Sequence, residues 1–158
     1  MNRLISWFSK RKSSLPDDYL SLLDRIVIDG RSRHRANFKF HLTSKIQSKI
    51  LKNELQFQNF VKNLFLEHEL WDTEENLGIL LFISLDEPKC KIFFDRGLGS
   101  DSLEIDWRKI EYKLDSELQK NLAYKAIPNT ISEIIHVLEK NFPKIIPVFT
   151  PPSFPFAE

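Results

Sequence analysis

The chain has 158 residues, of which 42% are hydrophobic and 28% are charged, values typical of one soluble globular domain. Lys and Arg number 23 and Asp and Glu number 22, so the net charge of +1 excludes the basic excess typical of a nucleic-acid-binding protein. The single cysteine, Cys90, excludes an intrachain disulfide, and no apolar stretch is long enough to span a bilayer.

The first 30 residues are expected to form a helical segment packed on the domain. Residues 1–14 combine apolar and basic side chains, which predicts a short terminal helix or, as the alternative, a weak contact with a membrane surface. They lack the long apolar centre and the cleavage site of a signal peptide, so we expect a cytoplasmic protein. Leu15-Pro16-Asp17-Asp18 is typical of a helix start, and Gly30 is typical of a helix end.

A basic cluster at residues 31–35 precedes the first predicted strand. The segment ANFKFHL alternates between apolar and polar residues, which indicates a half-buried strand. Thr43 or Ser44 is expected to cap the following helix, and the polar residues Lys52–Glu54 mark a point at which that helix could divide in two. The apolar stripe of this helix consists of Ile46, Ile50, Phe57, Phe60, Val61, Leu64 and Phe65.

Residues 79–85, ILLFISL, are apolar almost throughout, which predicts a central strand buried on both faces. Asp86-Glu87-Pro88-Lys89 is typical of a turn, and CKIFF at 90–94 is the predicted return strand of a hairpin. Two amphipathic helices follow, and a Pro-rich, extended tail at 144–158 ends the chain. The predicted buried stripes of these helices are Leu103, Trp107, Ile110, Leu114 and Leu118, and then Ile127, Ile131, Ile134, Ile135 and Leu138.

This order of elements predicts an α/β fold of three layers. A sheet whose central strand is apolar on both faces needs helices above and below it, which gives an α/β/α sandwich. One connection is a hairpin, at residues 79–94, and another is a helical crossover, so the short sheet is expected to be mixed. A single domain is predicted at 31–143, flanked by the N-terminal helical segment and the Pro-rich tail.

The acidic stretch WDTEEN, at 71–76, stands directly before the predicted central strand. The hairpin brings the loop before its first strand close to the loop after its second, so the two loops together predict a site for a hard cation such as Ca²⁺ or Mg²⁺. The pattern is not that of an EF-hand, because Leu77 occupies the position of the turn glycine. The other interpretation, which we favour, is an acidic rim that keeps the entrance of the buried strand solvated and holds an ion weakly at most. The candidate ligands are Asp72, Glu74, Asn76, Asp95 and Asp101.

The other residues that could take part in chemistry form no recognisable catalytic or metal-binding motif. Cys90 and Arg96 have the spacing of the cysteine phosphatase motif, but the residues between them form an apolar strand, so Cys90 is expected in the core. His34 and Arg96 are candidates for contact with an anion or a partner, with a solvated basic loop as the alternative for His34. His41, His68 and His136 show no spacing that predicts a metal triad. Trp71 and Trp107 are expected as core and rim anchors, with a ligand platform as the alternative.

The segment LWDTEENLGILLFISLDEPKCKIFFDRGL, followed by Trp107 and the closing LEKNFP, resembles the TPM domain. This phosphatase-like domain was first described in thylakoid-lumen proteins of photosystem repair, and the resemblance is strongest to a short bacterial branch. It covers roughly residues 31–143 and rests on the order and spacing of several short motifs. The resemblance implies divalent-metal binding, and acid phosphatase activity or a role in assembly, with acids of the two loops as ligands.

The chain departs from the family pattern in both loops. Asn76 stands where better-known members have Asp, and Gly99 stands where they have Glu. His34 is retained before the first strand, but the Gly and Glu that follow it in the family are replaced. We therefore expect a binding or assembly module with a protein partner. The alternative is a divalent-metal-dependent acid phosphatase, with its site at the 71–78 and 95–102 loops.

Overall fold

The computed structural model describes residues 17–145, which form five α-helices and one three-stranded sheet. The expectations for residues 1–14 and for most of the Pro-rich tail lie outside this range. In chain order the elements are α1 (Asp17–Gly30), β1 (Asn37–Thr43), α2 (Ser48–Lys52), α3 (Glu54–Glu67), β2 (Gly78–Ser84), β3 (Lys89–Phe94), a single 3-10 turn (Arg96–Leu98), α4 (Asp101–Gln119) and α5 (Ala123–Asn141).

The sheet is built around β2, which lies between the other two strands. β1 pairs with it in parallel, from Asn37 opposite Gly78 to Thr43 opposite Ser84. β3 pairs with it antiparallel, so the hairpin and the mixed sheet expected from the sequence are both confirmed. Every residue of β2 is buried, as its unbroken apolar sequence predicts.

Helices cover both faces of the sheet and give three layers. Alternate residues of β2 point to opposite faces, so its side chains belong to two separate apolar clusters. Ile79, Leu81 and Ile83 pack with α1, α4 and α5. Leu80 and Phe82 pack with α3 and with Ile46 on the other face. The α/β fold predicted from the sequence is therefore confirmed, and none of the helices within residues 17–145 combines the length and apolar character needed to cross a membrane.

Helix α4 covers the sheet with one side and closes the edge of β3 with another. Its five buried residues are those of the predicted stripe. Two carboxylates from α4 accept hydrogen bonds from backbone N–H groups of β3: Glu111 from Ile92 (2.7 Å) and Asp115 from Cys90 (3.0 Å). These N–H groups would otherwise form an open strand edge, which is a template for unwanted pairing.

Helix α5 contains a proline in its first half, and α1 compensates for it. Pro128 has no N–H group, so the carbonyl of Tyr124, four residues earlier, loses its helical partner. The hydroxyl of Tyr19 on α1 donates to this carbonyl at 2.8 Å, and the two tyrosine rings stack with centroids 4.8 Å apart. The N-terminal helix is thereby held against α5.

The helical region after β1 differs in one detail from the sequence expectation. It divides at Asn53, as the polar residues there suggested, and the Asn53 side chain caps α3 by accepting from the N–H of Gln56. The expected cap at Thr43 or Ser44 is wrong, because β1 extends through Thr43 and the carbonyl of Ser44 accepts a hydrogen bond from the N–H of Asp86. Helix α2 begins after Gln47, which makes no side-chain capping bond.

We predict that Leu81→Asp abolishes cooperative folding. Leu81 is fully buried in β2, and an unpaired carboxylate there should cost about 4 kcal/mol or more, a large part of a typical domain's stability. The matched control is Leu55→Asp on α3, where the side chain is 67% exposed. Thermal melting followed by circular dichroism should show a native-like transition for the control alone. A normal transition for Leu81→Asp would contradict the central position of β2.

Candidate functional site

The two loops at one end of the hairpin meet through their backbones, as expected from the sequence. The N–H of Gly97 donates to the carbonyl of Asn76, and the N–H of Asp95 donates to the carbonyl of Gly78, both at 2.9 Å. We call residues 71–78 and 95–101 together the loop cluster. Because Gly78 begins β2 and Phe94 ends β3, the loop cluster is a direct extension of the sheet.

The first loop is shaped by Thr73 and Asn76. The hydroxyl of Thr73 accepts a hydrogen bond from the N–H of Leu77 at 2.8 Å, which closes a turn just before β2. Asn76 has a φ of 58°, in the left-handed region that Asn tolerates better than most residues. This conformation directs the chain into the strand and places the Asn76 carbonyl against Gly97.

The second loop passes so close to the first that it requires a glycine. A Cβ atom on Gly97 would lie 2.4 Å from the carbonyl oxygens of both Glu75 and Asn76. The next residue, Leu98, is buried, and its carbonyl accepts a hydrogen bond from the indole N–H of Trp107 at 2.9 Å. Trp107 is fully buried, which confirms its place on the predicted apolar stripe of this helix.

Two acids of the loop cluster are bound within the chain. Asp95 caps the 3-10 turn, because its Oδ1 accepts from the N–H of Arg96 at 2.8 Å. Glu75 forms a two-pronged ion pair with Arg35, with N–O distances of 3.0 and 3.2 Å. Arg35 also donates to the carbonyl of Pro143, so this pair joins the loop cluster to the end of α5.

The remaining candidate ligands face solvent. Asp72 and Glu74 are exposed, and so is Asp101 in the first turn of α4. The backbone brings Asn76 next to the segment that carries Asp95 and Arg96. Within residues 17–145, no hydrogen bond joins the side chains of Asp72, Glu74 or Asp101 to this segment or to Asn76. The same part of the chain contains no group of three or more His, Cys, Asp or Glu side chains placed to hold a metal ion.

Trp71 forms the outer rim of the loop cluster and is not a core anchor. Its side chain is 54% exposed, which is high for a residue of this size and type. It stands between Leu70, which is fully buried, and Asp72, which is exposed. The indole therefore lies at the border between the core and the acidic surface.

His34 lies in the interior, and the expectation of a solvated basic loop is wrong for this residue. Its side chain is 1% exposed, because the chain around it bridges to Pro143 at the end of α5. Neither ring nitrogen has a hydrogen-bond partner within residues 17–145. Burial is the largest influence on the pKa of His34 and lowers it, although a backbone interaction with Ala36 acts in the opposite direction. The imidazole is therefore neutral at pH 7.

Cys90 is a core residue, as predicted. It is 2% exposed, and burial together with the nearby carboxylates of Asp115 and Glu111 raises the pKa of the thiol far above its usual range. Cys90 lies at the start of β3, whereas Arg96 lies in the 3-10 turn that follows the end of this strand. The two residues therefore do not form the phosphate-binding loop of a cysteine phosphatase, although their spacing in the sequence matches that motif.

The structure pairs two histidines that sequence reasoning treated as isolated. Nδ1 of His41, in β1, lies 3.1 Å from Nε2 of His68, at the end of α3. Burial, and secondarily the neighbouring His68, lowers the pKa of His41 to about 4. The two residues are far apart in the chain, and no short-range spacing signals their contact.

The comparisons with known proteins identify the fold. No protein-family model matches the chain, and no curated protein matches it. The NMR structure of the BA42 protein from the psychrophilic bacterium Bizionia argentinensis is similar, with a TM-score of 0.65 and 17% sequence identity. The similarity covers 86% of this chain and 89% of BA42, so the two proteins share their overall fold.

We predict that Gly97→Ala destabilises the protein and that Gly99→Ala does not. The new methyl group at position 97 would meet two fixed carbonyl oxygens, and forcing the loops apart should cost about 1–3 kcal/mol. At Gly99 the nearest atom would be 3.4 Å away on the Phe94 ring, an ordinary contact. Urea denaturation of both variants measures the difference. Equal stability of the two variants would contradict the close approach of the loops.

Proposed function

We propose that this chain is a TPM-like binding or assembly module whose partner is a protein and whose contact surface is the loop cluster. The proposal joins the sequence resemblance over residues 31–143 to the arrangement of the loops at one end of the sheet. Loops that are held on a rigid sheet are common sites of molecular recognition.

The observation that carries the proposal is the exposed Trp71 beside two exposed acids. Trp71 is 54% exposed, while the loop that holds it is joined to the facing loop by two backbone hydrogen bonds, from Gly97 to Asn76 and from Asp95 to Gly78. Tryptophan is enriched among the residues that dominate the energy of protein interfaces, because its large ring buries area at a small cost in conformational entropy. Asp72 and Glu74 next to it are suited to select a partner with basic side chains.

The roles of the other acids also support binding rather than chemistry. Asp95 caps a helical turn and Glu75 pairs with Arg35, so both carboxylates already have partners within the chain. A phosphatase needs a nucleophile or a metal-activated water, together with a group that stabilises charge in the transition state. The buried thiol of Cys90 is unsuited to the first role.

A metal-dependent acid phosphatase is the second proposal, and the observation that favours it is the meeting of the two loops. Gly97 and Asn76 bring both loops to one end of the sheet, where carboxylates from each side could surround an ion. The ligands of Ca²⁺ or Mg²⁺ would be oxygen atoms of Asp72, Glu74, Asn76, Asp95 and Asp101. These side chains would have to converge, because residues 17–145 contain no group of three or more carboxylate, His or Cys side chains placed around an ion. The ion would polarise a phosphoryl oxygen and activate water.

We predict that a photoreactive phenylalanine analogue at position 71 forms a discrete cross-linked product in cells of the source organism. The matched control carries the analogue at Tyr124 on α5, which is 56% exposed and distant in the chain from the loop cluster. Excess unlabelled protein should compete for the partner and lower the yield of the cross-linked product. The same excess of the Asp72→Lys, Glu74→Lys variant should leave the yield unchanged. Equal products at both positions, or competition by the charge-reversed variant, would contradict the proposal.

An assay of phosphate-ester hydrolysis separates the binding module from the phosphatase. With Ca²⁺, Mg²⁺ or Mn²⁺ present, Asp72→Asn and Asp95→Asn should leave any phosphate-ester hydrolysis unchanged. Asn can replace Asp as a helix cap, so the second variant should keep the 3-10 turn. Robust hydrolysis that either substitution abolishes, with the fold intact, would favour the phosphatase over the binding module.

A further inference from the structure

The paired histidines lie on the α3 side of the sheet. His41 occupies the middle of β1, on the same face as Phe82, its partner in the register. His68 is the C-cap residue of α3. The strand and the helix end thus bring two imidazoles together, with Nδ1 of His41 and Nε2 of His68 separated by 3.1 Å.

The ring of His41 and the backbone of His68 are held in place by their surroundings. The ring of His41 stacks on Phe82, with centroids 6.0 Å apart, and Phe82 in turn packs against Phe57 and Phe60. The backbone of His68 donates to the carbonyl of Leu64 at 2.9 Å, and its own carbonyl accepts from the ammonium group of Lys39 at 2.9 Å. The geometry of the pair therefore needs little ordering before it can bind a ligand.

The separation of the two nitrogens suits a single metal ion. In a tetrahedral site with bonds of about 2.0–2.1 Å from zinc to nitrogen, two imidazole nitrogens lie about 3.3 Å apart. The observed 3.1 Å differs from this separation by only a few tenths of an ångström. Both nitrogens can bind one ion if each ring carries its proton on its other nitrogen, a change of tautomer that leaves the rings neutral.

The space beside the pair can receive further ligands of the ion. A cavity of about 470 Å³ adjoins His41 and is lined also by Thr43, Lys45, Ile46, Gln47, Ile50 and Phe60. This volume accommodates several waters or a small anion. Two imidazole ligands beside such a space describe a site that binds an ion and a second small ligand.

We propose that His41 and His68 form a bidentate site for a borderline transition-metal dication, of which Zn²⁺, Cu²⁺ and Ni²⁺ are examples. Imidazole nitrogen favours these ions over Ca²⁺ and Mg²⁺, which prefer oxygen. The site differs in position and in ligand chemistry from the loop cluster, so it does not depend on the function proposed there. Lys39 lies close by as a positive charge, so it weakens the affinity of the site for a dication.

The test uses protein without a histidine tag, titrated with ZnCl₂ in a buffer that does not chelate metals. Calorimetry should show one saturable site, and His68→Gln should weaken its affinity by at least about tenfold because one of two imidazole ligands is lost. The control His136→Gln changes an exposed histidine of α5 and should leave the affinity unchanged.

A second readout identifies the atoms directly. In ¹⁵N spectra of the imidazole groups, Zn²⁺ should shift Nδ1 of His41 and Nε2 of His68 together, and the same ring signals should not respond to Ca²⁺. Circular dichroism melting confirms that His68→Gln is folded. The proposal is overturned if no saturable Zn²⁺ site exists, if the affinity is the same in His68→Gln, or if the shifted nitrogens belong to other histidines.

Discussion

The complete burial of β2 is the constraint on which the rest of the structure depends. Apart from Ser84 at its end, its side chains are apolar on both faces, and every residue of the strand is buried. Each fully buried aliphatic or aromatic side chain contributes about 1.5–3 kcal/mol relative to exposure, but only if another element covers it. Helices must therefore lie on both sides of the sheet, and the strands β1 and β3 must flank β2.

The outer strands pose a different problem, because each has a side that pairs with no strand of the sheet. For β3 the solution comes from α4, whose Glu111 and Asp115 accept hydrogen bonds from the strand's free N–H groups. The same helix buries Trp107, whose indole fixes the 3-10 turn of the loop cluster. One helix thus covers a face, closes an edge and supports the loops at the end of the sheet.

The pattern of apolar residues was sufficient to predict much of this fold. The stripes of α4 and α5, the hairpin, the central strand and the meeting of its two loops follow from periodicity and from the direction of the strands. Features that depend on distant contacts were not predictable. The pairing of His41 with His68 joins a strand to a helix end, and the burial of His34 depends on Pro143, more than 100 residues away in the chain. The surrounding arginines suggested a solvated loop at His34, because local composition carries no information on what packs against it.

The acids before β2 illustrate how the same sequence signal can have several physical roles. Their density suggested a solvated rim or a metal site. In the structure Glu75 pairs with Arg35 and Asp95 caps a turn, while Asp72 and Glu74 are exposed beside Trp71. The negative charge keeps the entrance to a buried strand solvated, and it leaves an acidic surface with an aromatic centre. Recognition of a partner by this surface requires that the loops be as rigid as the sheet that carries them.

Native-state hydrogen exchange tests this rigidity most directly. The amides of Asp95 and Gly97 donate to carbonyls of the facing loop, so their opening should require separation of the two loops. We predict that they exchange with an opening free energy within about 2 kcal/mol of that of the β2 amides, which report global unfolding. If the two loop amides instead exchange nearly freely while those of β2 stay protected, the loop cluster is not a rigid extension of the sheet, and recognition of a partner by a preformed surface at this end of the sheet is contradicted.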